Sequence, residues 1–284
     1  MKLALDPRMV RHLAFAEVFK VAAEAGYRSL EWSPRDDFLP SYQGRRATRE
    51  AVTEIKNASE GTEVSIESVW VNYRWSSTDE AERRTAVRYW KQAFEVAIEL
   101  GCRQLNTEFK GDPFRPEQSE AAFWRSLDEL LPVVESEGLK LVIEPHPGDF
   151  VESGFRAVDI IRGIRSEAVG YIYCVPHTFI MGPDMAELIR YAGPTLQYVH
   201  LADTYRPSRI IVDPHDAPVR VHQHLDIGQG EIAWDSLFKE LRGIGYDGVM
   251  TVSVFAWPER AIESFRHNHR HATELLSAAG YEVT

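Results

Sequence analysis

The chain has 284 residues, 44% of them hydrophobic and 26% charged, which is enough apolar material for one full α/β core. A formal charge of −11, with pI ≈ 5.4, excludes a nonspecific nucleic-acid backbone binder, which would need a Lys/Arg footprint. Two distant cysteines, Cys102 and Cys174, make no disulfide framework, and no apolar run has the length of a signal peptide or a membrane span, so a reduced cytoplasmic protein is expected.

Short apolar runs alternate with amphipathic segments along the whole chain. Strands are predicted over Lys2–Asp6, Arg28–Ser33, Glu63–Val71 and Gln104–Phe109, then Lys140–His146, Val169–Val175, Leu196–Asp203 and Val249–Ala256. The intervening helical patterns are Phe15–Ala25, Arg49–Ser59, Asp79–Leu100, Ser119–Glu137, Phe155–Arg165, Asp184–Tyr191 and Trp234–Ile244, with Pro258–Ala279 after the last strand. Gly26, Gly61, Gly101, Gly138, Gly193 and Gly245 supply helix stops that feed the next strand. Strand–helix alternation repeated eight times without a break in composition predicts one closed (β/α)₈ barrel over residues 1–284. An open doubly wound sheet is the alternative, but no G-x-G-x-x-G follows the first strand.

In a barrel the chemistry sits on the loops that follow the strands. The strand ends read Asp6; Glu31 and Ser33; Asn72; Glu108 and Lys110; Glu144 and His146; Cys174 and His177; His200 and Asp203; Ser253. Glu144 closes an otherwise apolar strand, where an unpaired carboxylate would cost several kcal/mol, so a metal or a buried cation is expected beside it. His222 and His224 stand two apart, on one face if extended, with Cα atoms about 7 Å apart. Together with His200 they suggest a metal site, since imidazole is a common ligand of zinc-like ions. Cys174 is expected to be inert packing, as buried cysteines usually are. His267, His269 and His271 are spaced by two on a helix and cannot converge on one ion. Trp70, Tyr73, Trp75, Phe255 and Trp257 are candidates for an apolar wall against a sugar-like substrate, with packing at the rim as the plainer alternative. Arg35 lies in a loop that could reach over the pocket as a lid.

The motifs LEWSPRDDFLP, YIYCVPHTF, VHLAD, VHQHLDIGQGEI and VFAWPER resemble the xylose-isomerase-like superfamily of sugar phosphate isomerases and epimerases, which includes endonuclease IV and inosose-processing enzymes. Within it they look most like proteins of myo-inositol catabolism. The resemblance implies that Glu144 and His200 are the metal ligands of strands five and seven. The usual strand-six aspartate falls at Cys174 and the strand-eight glutamate at Ser253, so half of that ligand set is replaced. The resemblance to the multi-zinc members implies a displaced site at His177, His222 and His224, with Asp226 or Asp203 orienting the rings. The implied cofactor is a divalent ion such as zinc or manganese, and the implied partner is a small cyclitol or sugar, with no nucleic acid or membrane; a homo-oligomer is compatible.

The activity this implies is isomerisation or epimerisation of an inositol-derived ketone or keto-sugar through an enediolate. Glu144, Glu108 and Glu31 are the candidate acids and bases, and Trp70, Arg35, His146 and Trp257 the candidate substrate contacts. A dehydratase on the same site, a nuclease of the endonuclease IV type, and a binding barrel without catalysis are the rival readings; the acidic balance disfavours the nuclease.

Overall fold

A computed structural model describes residues 1–42, 47–206 and 224–283. Eight parallel strands close into a barrel in chain order, β1 pairing with both β2 and β8. They are β1 (Lys2–Leu5), β2 (Ser29–Trp32), β3 (Ser65–Trp70), β4 (Gln104–Glu108), β5 (Lys140–Glu144), β6 (Val169–Cys174), β7 (Leu196–Leu201) and β8 (Val249–Val252). The helices are α1 (Phe15–Glu24), α2 (Arg49–Thr62), α3 (Glu80–Glu99), α4 (Pro116–Ser136), α5 (Gly154–Ile164), α6 (Val175–Met181), α7 (Met185–Ala192), α8 (Trp234–Gly243) and α9 (Ala261–Ala278). None of the described helices is long and apolar enough to cross a membrane.

Helix starts follow local chemistry. Asp79 accepts the backbone N–H groups of Ala81 and Glu82 ahead of α3, and Thr48 and Asp184 cap α2 and α7 in the same way. The sequence pattern misses α6. That helix starts directly after β6, with Pro176 in its first turn, and carries His177.

Side chains alternate between two faces along each strand. Leu3, Leu30, Val69, Leu105, Leu141, Ile143, Val199 and Met250 face outward and share one core with the helices. The opposite face fills the lumen. Trp70, Val142, Ile172 and Tyr198 form a separate buried cluster there, and the Tyr198 hydroxyl joins Ser68 at 2.7 Å and Thr251 at 2.5 Å. Two residues further along the same strands stand Glu144, Cys174, His200 and Ser253. The apolar layer is therefore the floor on which the polar groups rest.

Candidate active site

The polar layer surrounds a small cavity of about 50 Å³ at the carboxyl ends of the strands. It is lined by Asp6, Arg8, Glu31, Trp70, Glu108, Glu144, His146, His177, His200, His224, Ser253 and Phe255. Glu108 and His146 also line a wider outer basin of about 390 Å³ beside Tyr42, Lys110 and Asp149. The inner cup suits water-sized groups or an ion, and the outer basin has room for a ring.

A buried chain of charged groups crosses the cup. Glu31 Oε2 lies 2.8 Å from His200 Nε2, and His200 Nδ1 lies 2.6 Å from Glu144 Oε2. Glu144 Oε1 lies 2.6 Å from His177 Nδ1. Glu31 also accepts the Asn106 amide at 2.6 Å. A carboxylate accepts and does not donate, so both ring nitrogens of His200 carry protons and the ring is an imidazolium between two anions. Burial alone would lower the His200 pKa, but Glu31 and Glu144 outweigh it and hold it well above the ordinary imidazole range. Burial alone would likewise raise Glu144, yet His177 and His200 hold it well below the carboxylate range. His177 itself is shifted down, because burial outweighs the Glu144 charge.

His224 reaches the same cup from the far end of the loop between β7 and α8. The backbones of Asp203 and Leu225 exchange two 2.9 Å hydrogen bonds, which returns the chain to the mouth. The His224 ring stacks on Phe255 at 4.1 Å, and its Nδ1 donates to the Ser253 carbonyl at 2.6 Å. His224 Nε2 then lies 3.2 Å from His177 Nε2. With both Nδ1 atoms donating, two neutral rings would point lone pairs at each other. A shared proton or a cation between them removes that conflict. A tetrahedral ion with metal–nitrogen bonds of about 2.0–2.1 Å holds its nitrogens about 3.3 Å apart, so this pair fits a zinc-like ion.

On the rim, Glu108 pairs with Lys110, and Lys110 Nζ also donates to the Tyr42 hydroxyl at 3.2 Å. Burial opposes the Lys110 charge, but Glu108 prevails and keeps its pKa above the usual value. Across the cup, Arg8 Nε lies 3.6 Å from Asp6 Oδ2, and Ser253 donates to the same oxygen at 3.2 Å. The strand-end pattern places Asp6 and Lys110 at the mouth without a specific role and passes over Arg8. The available signal was a cation two residues beyond an acidic strand end, seen at both Asp6–Arg8 and Glu108–Lys110.

Of the predicted site residues, the structure brings Glu31, Glu108, Glu144, His146, His177, His200, His224 and Trp70 together. His222 lies outside the described residues. Two expected substrate contacts, Arg35 and Trp257, are not in the lining of the cup. Arg35 is tied to Asp37 at 2.8 Å and to the Leu13 carbonyl at 2.8 Å, with its guanidinium over Phe15, away from the cup. Trp257 donates to Gln229 at 3.0 Å and stacks under Arg260, so Phe255 takes the wall position instead. For Asp203 and Asp226, the expected ring-orienting groups, the structure shows bonds to the glycine turn and to α9. Asp203 accepts the Gly228 and Ile232 N–H groups and the Trp234 indole, and Asp226 accepts Asn268 at 2.7 Å and pairs with Arg260. Both aspartates anchor the glycine turn.

A closed barrel with a carboxylate–imidazole cup at its C-terminal mouth defines a barrel enzyme. The family model for the xylose isomerase-like TIM barrel matches residues 19–271, and the chain belongs to that family. It is 26% identical over 217 residues to an inosose isomerase of Bacillus licheniformis, which spans 72% of this chain and 73% of the relative. Among solved structures it resembles a D-psicose 3-epimerase studied in the presence of D-fructose, at 14% identity and TM-score 0.78 over 97% of this chain and 99% of that one. It also resembles the IOLI protein with a bound zinc atom, at 18% identity and TM-score 0.78 over 99% and 100% of the two chains. The two structural likenesses bear on the fold alone; the family model sets the chain among the xylose isomerase-like barrels, and two of its curated relatives are inosose isomerases.

Proposed function

We propose that this chain is a divalent-metal-dependent isomerase or epimerase of a small polyhydroxylated ketone, a keto-cyclitol or keto-sugar, acting by proton transfer next to the carbonyl. The observation that carries the reading is the cup itself, where the facing His177 and His224 nitrogens, 3.2 Å apart, stand beside the carboxylate Glu108 on the wall shared with the outer basin. The relationship to inosose isomerases supports the substrate class.

His177 and His224 would hold the ion, with Glu144 and the Ser253 carbonyl fixing their rings through Nδ1. When bound, the ion supplies Lewis acidity toward a carbonyl oxygen. Glu108 is the base that takes the α-proton and returns it to the neighbouring carbon on the face it occupies; inversion would take its proton from the opposite side of the enediolate. Lys110 stabilises its anionic form, and His146, with Nδ1 donating to the Pro147 carbonyl at 2.7 Å, lines the passage between cup and basin. Glu31 and Glu144 act by holding His200 charged, which fixes the floor beneath the reacting carbons. Trp70 and Phe255 give the ring an apolar wall, and Arg8 offers hydroxyl contacts.

The test is incubation of metal-loaded enzyme with inososes and ketoses in deuterated water. Deuterium should enter the carbon next to the carbonyl without loss of water, and Glu108→Gln should reduce this exchange by about a hundredfold or more. A product lighter by one water would make the chain a dehydratase instead. Absence of exchange with every ketone tried would overturn the reading.

A further inference from the structure

His177 and His224 leave a third donor to be identified. The Cys174 sulfur, a His177 nitrogen and a His224 nitrogen all lie within 4.8 Å of one another, and all three side chains are buried. A second set, Glu144, Cys174 and His200, meets the same limit and again includes Cys174. There, however, Glu144 and His200 are bonded to each other at 2.6 Å, and the second His200 nitrogen is bonded to Glu31. An ion in that set would have to displace a buried ion pair.

We infer that Cys174, as a thiolate, is the third ligand of a Cys174–His177–His224 site, and that this site takes a zinc-class ion rather than magnesium or manganese. The inference rests on the metal-dependent reading proposed above and adds to it the third donor and the kind of ion. It departs from the expectation of inert packing, and the surroundings of the sulfur say why. The Cys174 sulfur lies within 4.8 Å of a nitrogen of His200, the cationic ring held between Glu31 and Glu144. A neighbouring cation favours a thiolate. A bound cation would take the place of the thiol proton, one for each ion. Cys102, by contrast, faces the Gln104 carbonyl at 3.3 Å, close to none of the candidate ligands. Zinc bonds of about 2.0–2.1 Å to nitrogen and about 2.3 Å to sulfur bring such donors to about 3.3–3.7 Å, a contraction that side-chain adjustment can supply. A thiolate selects zinc and cobalt over the oxygen-seeking ions.

The experiment uses full-length protein stripped by a chelator and titrated with cobalt(II). One equivalent should bind and produce the near-ultraviolet sulfur-to-cobalt charge-transfer absorption. That band should persist in Cys102→Ser and vanish in Cys174→Ser, whose zinc affinity should fall about tenfold or more. Zinc should displace the cobalt, whereas manganese at about a hundredfold excess should not. Cobalt bound without the band, or a band that survives Cys174→Ser, would overturn the thiolate ligand while leaving the metal reading in place. No cobalt bound at all would overturn both. Circular dichroism checks folding; if Cys174→Ser fails to fold, the wild-type and Cys102→Ser spectra decide the matter alone.

Discussion

Replacing Glu31 by glutamine probes the buried chain of charges at its inner end. Glu31 is 1% exposed, and its two oxygens accept from His200 at 2.8 Å and from Asn106 at 2.6 Å. A glutamine keeps the shape but must turn one N–H group toward a donor, and it removes one of the two anions that hold His200 charged. Losing a charge-assisted buried hydrogen bond costs about 1.5–3 kcal/mol, and breaking a buried ion pair costs about 3–5. Because Glu144 remains on the other ring nitrogen, the expected loss is about 3 kcal/mol, or roughly 6–12 °C in melting temperature. The sign with pH follows from the raised His200 pKa. A base whose pKa is higher in the folded chain stabilises fully below its unfolded value of about 6.5, and that contribution fades as pH rises through the folded value. Metal-free wild type should therefore lose stability on the alkaline side, and in Glu31→Gln that loss should be smaller and complete at a lower pH. Urea unfolding between about pH 6 and pH 10 measures this, and imidazole ¹⁵N chemical shifts report whether both His200 nitrogens are protonated. A neutral His200 at pH 7 in the wild type, or a variant as stable as the wild type across the range, would refute the charge assignment.

Gly230→Ala should cost about 1–3 kcal/mol in thermal or urea unfolding, because a Cβ there would overlap Asp203 Oδ1 and the Thr204 carbonyl and lie 2.6 Å from the Thr204 nitrogen; wild-type stability would mean that the turn does not need this close approach. Asp149, whose carboxylate accepts the Lys110 N–H at 2.6 Å and the Gly111 N–H at 2.8 Å, is raised to about 6 by burial. An acid with a raised folded pKa stabilises most below its unfolded value of about 3.9 and loses that contribution as pH rises through about 6. The stability of wild type relative to Asp149→Asn should therefore fall by about 3 kcal/mol between pH 4 and pH 7, and a difference independent of pH would contradict the burial argument.

Much of the frame can be read along the chain, because it depends on local periodicity and on chain-stopping residues. Alternation by two fixes which strand residues share the lumen, and that is why Glu144, His200 and Glu108 could be placed at one mouth before any contact was known. Helix patterns ending at glycines set the order of elements, and eight repeats leave few ways to close the sheet. What local pattern cannot carry is the partner of each atom. The spacing of Asp203 and Asp226 to the histidines matches an orienting role, yet their oxygens are taken by the glycine turn and by α9, segments whose approach only the packed barrel defines. Arg35 has the reach of a lid but is held by Asp37 and Leu13. The α6 turn after Cys174 is too short to leave a helical period, and it is what presents His177 to Glu144 and His224. The His200 charge follows from two carboxylates that arrive from strands 169 and 56 residues away along the chain. The sequence by itself determined which chemical groups stand at the strand ends, since that is a matter of period and order. Only the tertiary structure decided which of them are protonated, which face a common ion and which merely hold a turn, because hydrogen bonds and buried charge depend on distances of a few ångströms between distant parts of the chain.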